Sequence, residues 1–203
     1  MPDQRPVAIT LGDAAGIGPE IIAKVFAHHP VAAQACVVFG NAGVLTQAVQ
    51  ALPQPADLRV QVMTNLGEAL QAPPGVMPVW QIGTLDPPPP WGHVSAASGR
   101  LAADCVRAAA HAALVGQVQA VVTAPLNKTA LAAAGEDFPG HTEMLQSLAA
   151  NHLGVPVDQV PVRMMLANPE LRTVLVSIHV PLRQAIEADR KSTRLNSSHA
   201  NIS

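Results

Sequence analysis

Short apolar runs of strand length alternate along this chain with segments of helical period, and that alternation restricts the fold more than any other feature. In order they read "VAIT", "PEIIAKVFAHH", "ACVVFG", "AGVLTQAVQAL", "LRVQVM" and "VMPVWQI". Apolar runs without a polar face suit strands buried on both sides, as in a parallel sheet covered by helices. The β-α-β rhythm therefore predicts an α/β fold: a mostly parallel sheet, helices on both faces, and ligand chemistry at the C-terminal ends of the strands. With an apolar share of 49% over 203 residues, the chain can bury one large core or the better part of two smaller ones.

The stretch "GTLDPPPPWGHVSAASG" interrupts the rhythm. Its four consecutive prolines favour a stiff extended segment and exclude a helix. A division is expected here between a first α/β portion, residues 1–90, and a second, residues 91–190, which carries the site motifs. The second portion starts with an Ala-rich helix from Arg100 to Leu114 and a strand "VQAVVTAP". The helices "NKTALAAAG" and "HTEMLQSLAANHLG" follow, closed by Gly135 and Gly154, and then the strands "VRMMLAN" and "RTVLVSIHV". The last thirteen residues, "KSTRLNSSHANIS", hold four serines, as many as the preceding 190 residues together. They continue no apolar period. A natural polar tail and a foreign sequence joined to an interrupted chain both fit; the foreign origin is favoured, and residues 191–203 are expected to be unstructured.

Composition excludes some partners. Net charge is −2, charged residues make up 13%, and Lys and Arg are scattered, so no nucleic acid and no anionic membrane surface is expected as a partner. No apolar run is long enough for a membrane span, and "MPDQRPVAIT" has neither a basic leader nor an apolar signal core, which points to the cytoplasm. Cys36 and Cys105 have no ligand spacing and read as small buried thiols. Aromatic residues are only 2%, leaving few platforms for stacking bases or sugars.

Four stretches place polar groups where strands or turns end. In "ITLGDAAGIGPEIIAKVF" a strand from Val7 to Leu11 meets a turn with three glycines and a helix with Pro19 in its first turn. Counted from Gly16 and Gly18, the third glycine of a dinucleotide fingerprint would fall on Ile21, and the Lys of a P-loop is missing. An anion held at the helix N-terminus and a plain tight βα connection both remain open. In "VVTAPLNK" the strand gives way to Thr123, Pro125, Asn127 and Lys128, with Lys128 either a phosphate ligand or a solvated residue opening the next helix. In "FPGHTEML" Gly140 precedes His141, Thr142 and Glu143 at a helix N-terminus, where hydroxyl, imidazole and free N–H groups can meet one anion; capping by Thr142 accounts for part of the pattern. In "VLVSIHVPL" His179 ends an apolar strand, as a metal or catalytic group or as a satisfied core residue. His28 and His29 close a helix, His111 and His152 fall on Ala-rich helices, and His93 lies in the Pro-rich connection; all five read as structural or solvated. No HExxH, CxxC or paired-carboxylate motif is present.

Taken in order, "GDAAGIGPE", "VVTAPLNK", "GHTE" and "RMMLANPELRTVLVSIHVPL" resemble the 4-hydroxythreonine-4-phosphate dehydrogenase family of pyridoxal phosphate biosynthesis, from about Pro6 to Ala188. The first motif is also similar to the "GDGIGPE" turn of isocitrate and isopropylmalate dehydrogenases. The resemblance therefore implies an incomplete two-domain architecture of that kind, with a turn that is no mononucleotide loop. It further implies oxidation of the secondary alcohol of 4-phosphooxy-threonine by NAD or NADP with a divalent cation (Zn, Mg or Co), followed by decarboxylation, in a homodimer whose substrate is a small phosphorylated hydroxy acid. By this resemblance His179 matches a metal-ligand histidine, and His141 with Thr142 matches a pair that contacts substrate. Lys128 and Asp13 receive no role, and no catalytic or cofactor-binding residue is identified. Family members carry two further metal-ligand histidines and most of the dinucleotide site beyond the point where "KSTRLNSSHANIS" begins, so this chain by itself is expected to be inactive. A sister dehydrogenase of 4-phosphorylated threonate or erythronate shares the motifs. A phosphate acyltransferase on a related fold and a non-catalytic module that binds a phosphorylated ligand are the readings from other classes.

Overall fold

The computed structural model describes residues 5–53, 57–175 and 180–188. Strand β1 (Val7–Thr10) runs through the glycine-containing loop into α1 (Gly18–His28) and the single turn α2 (Pro30–Ala33). Then come β2 (Cys36–Gly40), α3 (Ala42–Gln50), β3 (Arg59–Val62), a 3-10 turn over Leu66–Gln71, and β4 (Val76–Gln81). Beyond the Pro-rich connection follow α4 (Ala96–Leu114), β5 (Ala120–Thr123), α5 (Lys128–Ala133) and α6 (His141–Leu153).

These five strands form one sheet in the order β3-β4-β2-β1-β5, and every pairing is parallel. Val7 lies opposite Cys36 on one side and Ala120 on the other, and Thr10 lies between Phe39 and Thr123. The expected α/β architecture is present. Successive side chains of β2 point to opposite faces, so Cys36 and Val38 pack with Ile22, Phe26 and Leu45 from α1 and α3. Val37 and Phe39 pack instead with Leu66 of the 3-10 turn and Ala109 of α4. With helices on both faces, β2 is buried along its whole length.

The strand after the Pro-rich connection joins the same sheet as the four before it. The connection also docks on the first loop, since the Gly92 N–H donates to the Ala15 carbonyl at 2.7 Å. Among the described residues, those through Val160 form one compact unit and those from Pro161 a second. In the second unit β6 (Met165–Ala167) and β7 (Arg172–Val174) pair with each other as an antiparallel hairpin, and α7 (Leu182–Ala188) follows. Asn168 shapes the hairpin turn, its side-chain oxygen accepting from the N–H groups of Glu170 at 3.0 Å and Leu171 at 2.6 Å. Residues 191–203 lie outside the described residues. No described helix is long and apolar enough to cross a membrane.

Helix α4 is the strut on which the later elements pack. Ser95 caps it, accepting from the Ser98 N–H at 3.1 Å. Leu101, Cys105, Ala109 and Ala112 recur at helical spacing on its buried face. Next to α5 the approach is backbone to backbone: a Cβ on Gly99 would lie 2.0 Å from the Ala130 carbonyl oxygen. Gly99→Ala should therefore force α5 away and lower stability by about 1–3 kcal/mol. Urea denaturation should show a lower midpoint at unchanged slope, and an unaltered midpoint would mean that the two helices separate at no cost.

Candidate functional site

In an open parallel sheet, a crevice forms where adjacent strands send their chains in opposite directions. Here that point lies between β1 and β5. The chain leaves β1 toward β2, while β5 arrives after crossing the sheet from β4. The two loops are tied together beyond the strand ends: the Ala124 N–H donates to the Thr10 carbonyl at 3.3 Å and the Asp13 N–H to the Pro125 carbonyl at 3.0 Å. Gly12 makes this approach possible. Its φ is +71°, and a Cβ there would lie 2.5 Å from the Pro125 oxygen.

The first loop is a self-supporting turn. The Asp13 carboxylate is nearly buried and accepts from the Ala15 N–H at 3.1 Å, and the Asp13 carbonyl accepts from Gly16 N–H at 3.0 Å. Pro19 sits in the first turn of α1, as its sequence position predicts. The loop is a tight βα connection of the kind the glycines allow, with Gly12 at positive φ. Asp13, Gly16 and Ile17 face Pro125, Asn127 and Lys128 across an open cleft of about 380 Å³. Asn127 is engaged in capping α5, accepting from the Ala130 N–H at 3.0 Å. Lys128 is exposed and makes no ion pair among the described residues.

Helix α6 brings the second group to the same strand end. Its N-cap is Gly140, and no side chain caps it. Thr142 lies inside the helix, so the capping role allowed for it does not occur; its hydroxyl is on an exposed residue of the first turn. His141 is half-buried, and its Nε2 is enclosed without a hydrogen-bond partner. Burial pushes the imidazole below the usual histidine range, partly opposed by the backbone oxygen of Ala124 just after β5. At neutral pH the ring is uncharged.

Among the candidates from sequence, His141 and Thr142 start α6 at the end of β5, and Asp13 and Lys128 line one cleft at the ends of β1 and β5. His179 lies outside the described residues. No three His, Cys, Asp or Glu side chains among the described residues come together as a metal site, so those residues do not by themselves fit a metal ion. Cys36 and Cys105 are free and buried, with burial pushing the Cys105 thiol up to about 12. His28, His111 and His152 occupy last helical turns, where the helix dipole favours a cation. Buried polar groups without a signal in the sequence include Thr10 and Glu136. Thr10 has a fully buried hydroxyl without a partner, and Glu136 is a buried carboxylate in the loop before α6. A threonine in a strand and an acid in a loop carry no sequence signal of burial.

The family model described as pyridoxal phosphate biosynthetic protein PdxA matches residues 32–198. A 4-hydroxythreonine-4-phosphate dehydrogenase from Beijerinckia indica is 41% identical over 183 residues, covering 90% of this chain and 50% of the relative. A D-threonate 4-phosphate dehydrogenase from Bordetella bronchiseptica is 41% identical over 184 residues, 89% of this chain and 49% of that protein. Among solved structures, a 4-hydroxythreonine-4-phosphate dehydrogenase from Burkholderia phymatum superposes with a TM-score of 0.76 at 36% identity, covering 90% of this chain and 53% of the other. The chain thus spans about half the length of the curated relatives it matches.

The lowered His141 pKa has a consequence for stability. The folded chain binds this proton less readily than the unfolded chain, so the contribution is complete above the free value of 6.5 and is lost as pH falls through the lower folded value. Between about pH 8 and about pH 5 the melting temperature should fall further in the unaltered chain than in His141→Gln. An equal fall in both would show that His141 titrates as a free histidine.

Proposed function

The chain belongs to the PdxA family of pyridoxal phosphate biosynthetic proteins, and from that premise we propose that it forms the N-terminal portion of a nicotinamide-dependent dehydrogenase acting on 4-hydroxythreonine 4-phosphate. The observation that carries this reading is the enclosed, unpartnered Nε2 of His141 beside the uncapped N-terminus of α6. With the other ring nitrogen toward the Ala124 oxygen, the neutral imidazole offers Nε2 as an acceptor for a substrate hydroxyl. The Thr142 hydroxyl and the free N–H groups of the first turn supply donors for an anionic group on the same molecule. One small molecule with an alcohol and a phosphate answers both.

In the proposed reaction the secondary alcohol gives its hydride to NAD or NADP and its proton to the medium, and the resulting β-keto acid loses carbon dioxide. A divalent cation, when bound, would polarise the alcohol oxygen; His179 is its proposed ligand here, together with histidines beyond this chain. The relatives named as D-threonate 4-phosphate dehydrogenases support a second substrate, which keeps the phosphate and exchanges the amino group for a hydroxyl. The complete protein is proposed to be a cytoplasmic homodimer. Its division near the Pro-rich connection, and the foreign origin of residues 191–203, belong to the same proposal.

Two measurements test this. Incubated with either phosphorylated substrate, NAD or NADP and a divalent cation, the 203-residue chain should form no NAD(P)H if, as proposed, the remaining metal ligands and most of the dinucleotide site belong to residues outside it; measurable formation would overturn that part. Titration of 4-hydroxythreonine 4-phosphate should perturb the His141 ring resonances, and Thr142→Val should weaken binding about tenfold, the worth of one good hydrogen bond. An unperturbed His141 at saturating ligand would sink the assignment of this site.

A further inference from the structure

A charged cluster around the loop that precedes α6 takes no part in the chemistry proposed above. Glu136 stands in the loop between α5 and α6 with its side chain only 5% exposed. The Arg107 Nη2 meets one of its carboxylate oxygens at 2.5 Å, and the Arg100 Nη1 lies 3.6 Å from the other. The two arginines are seven residues apart on α4, two turns along one face. Arg100 also donates to the Ala134 carbonyl, and Arg107 reaches Asp104 at 3.1 Å. A nearly buried carboxylate is costly unless paired, so the loop is committed to this place against α4. Downstream, Phe138 packs on the cluster of Val106, Leu131 and Met144. Two residues later Gly140 opens α6 and delivers His141.

We propose that Glu136 is a positioning residue for His141. By clamping the 134–140 loop to α4 it sets where α6 begins, and so holds the His141 imidazole enclosed against the end of β5. The proposal rests on the reading of His141 as a substrate contact only for its functional meaning. A purely structural clamp would lower stability when removed and leave the environment of His141 as it was.

Histidine ring titration followed by NMR on the 203-residue chain separates the two. In Glu136→Gln the amide spectrum of the sheet should be retained, while the His141 titration midpoint rises by about 0.5 to 1 pH unit toward the free value as the ring gains solvent. Loss of the negative charge alone would move it the other way, since a nearby anion favours the imidazolium. Arg107→Lys keeps the charge and loses the fork; it should give a smaller rise, and it serves if the first variant does not fold. A folded variant in which the His141 midpoint stays or falls overturns the proposal. Adding inorganic phosphate or 4-hydroxythreonine 4-phosphate to the same samples reads the substrate assignment independently. If the midpoint rises in Glu136→Gln but neither ligand perturbs His141 in the unaltered chain, the positioning stands and the substrate reading fails.

Discussion

Everything placed at the candidate site depends on β1 being paired on both edges by parallel strands. Its neighbours approach from opposite directions in the chain, so the loops after β1 and β5 emerge side by side. The pairing brings Gly12 under the Pro125 carbonyl, where no side chain could stand. From that contact follow the closeness of Asp13 to Lys128 and the presence of Ala124 beside His141. A parallel sheet can make such a meeting only through long crossovers, and α4 is the crossover that carries the chain from β4 across to β5.

The two sides of the site are built by different physics. On the β1 side the turn supplies its own partners, the Asp13 carboxylate accepting from the Ala15 N–H and its carbonyl from the Gly16 N–H, while the Thr10 hydroxyl beside it is buried without one. On the α6 side Gly140 offers no capping side chain, the Nε2 of His141 is enclosed without a partner, and the loop leading there is held both by its own turn, the Gly135 and Glu136 N–H groups donating to the Ala132 and Leu131 carbonyls, and by charges from α4. Buried polar groups left unsatisfied are costly, and the Thr10 hydroxyl at the end of β1 and the Nε2 of His141 are both such groups.

The second unit is of a different kind. Two strands of three residues, the turn between them and a short helix expose Met165, Leu166, Leu171, Val174, Leu182 and Ile186. An isolated hairpin of this size has marginal stability in water, and apolar exposure on this scale fits a protein whose relatives are about twice as long.

Periodicity in the sequence determined the strands and helices, because a parallel sheet covered on both faces needs uninterrupted apolar runs such as Val37–Phe39, and the capping and terminal residues Ser95, Asn127 and Gly154 act through neighbours in the chain. The ordered motifs were likewise enough to mark the family and to single out His141 and Thr142. Tertiary structure alone decided strand order, the meeting of loops more than a hundred residues apart and the burial of Glu136 between two arginines. The reason is that local propensity is a property of a few adjacent residues, whereas burial and the protonation of His141 are set by whichever distant segments the sheet brings to that strand end.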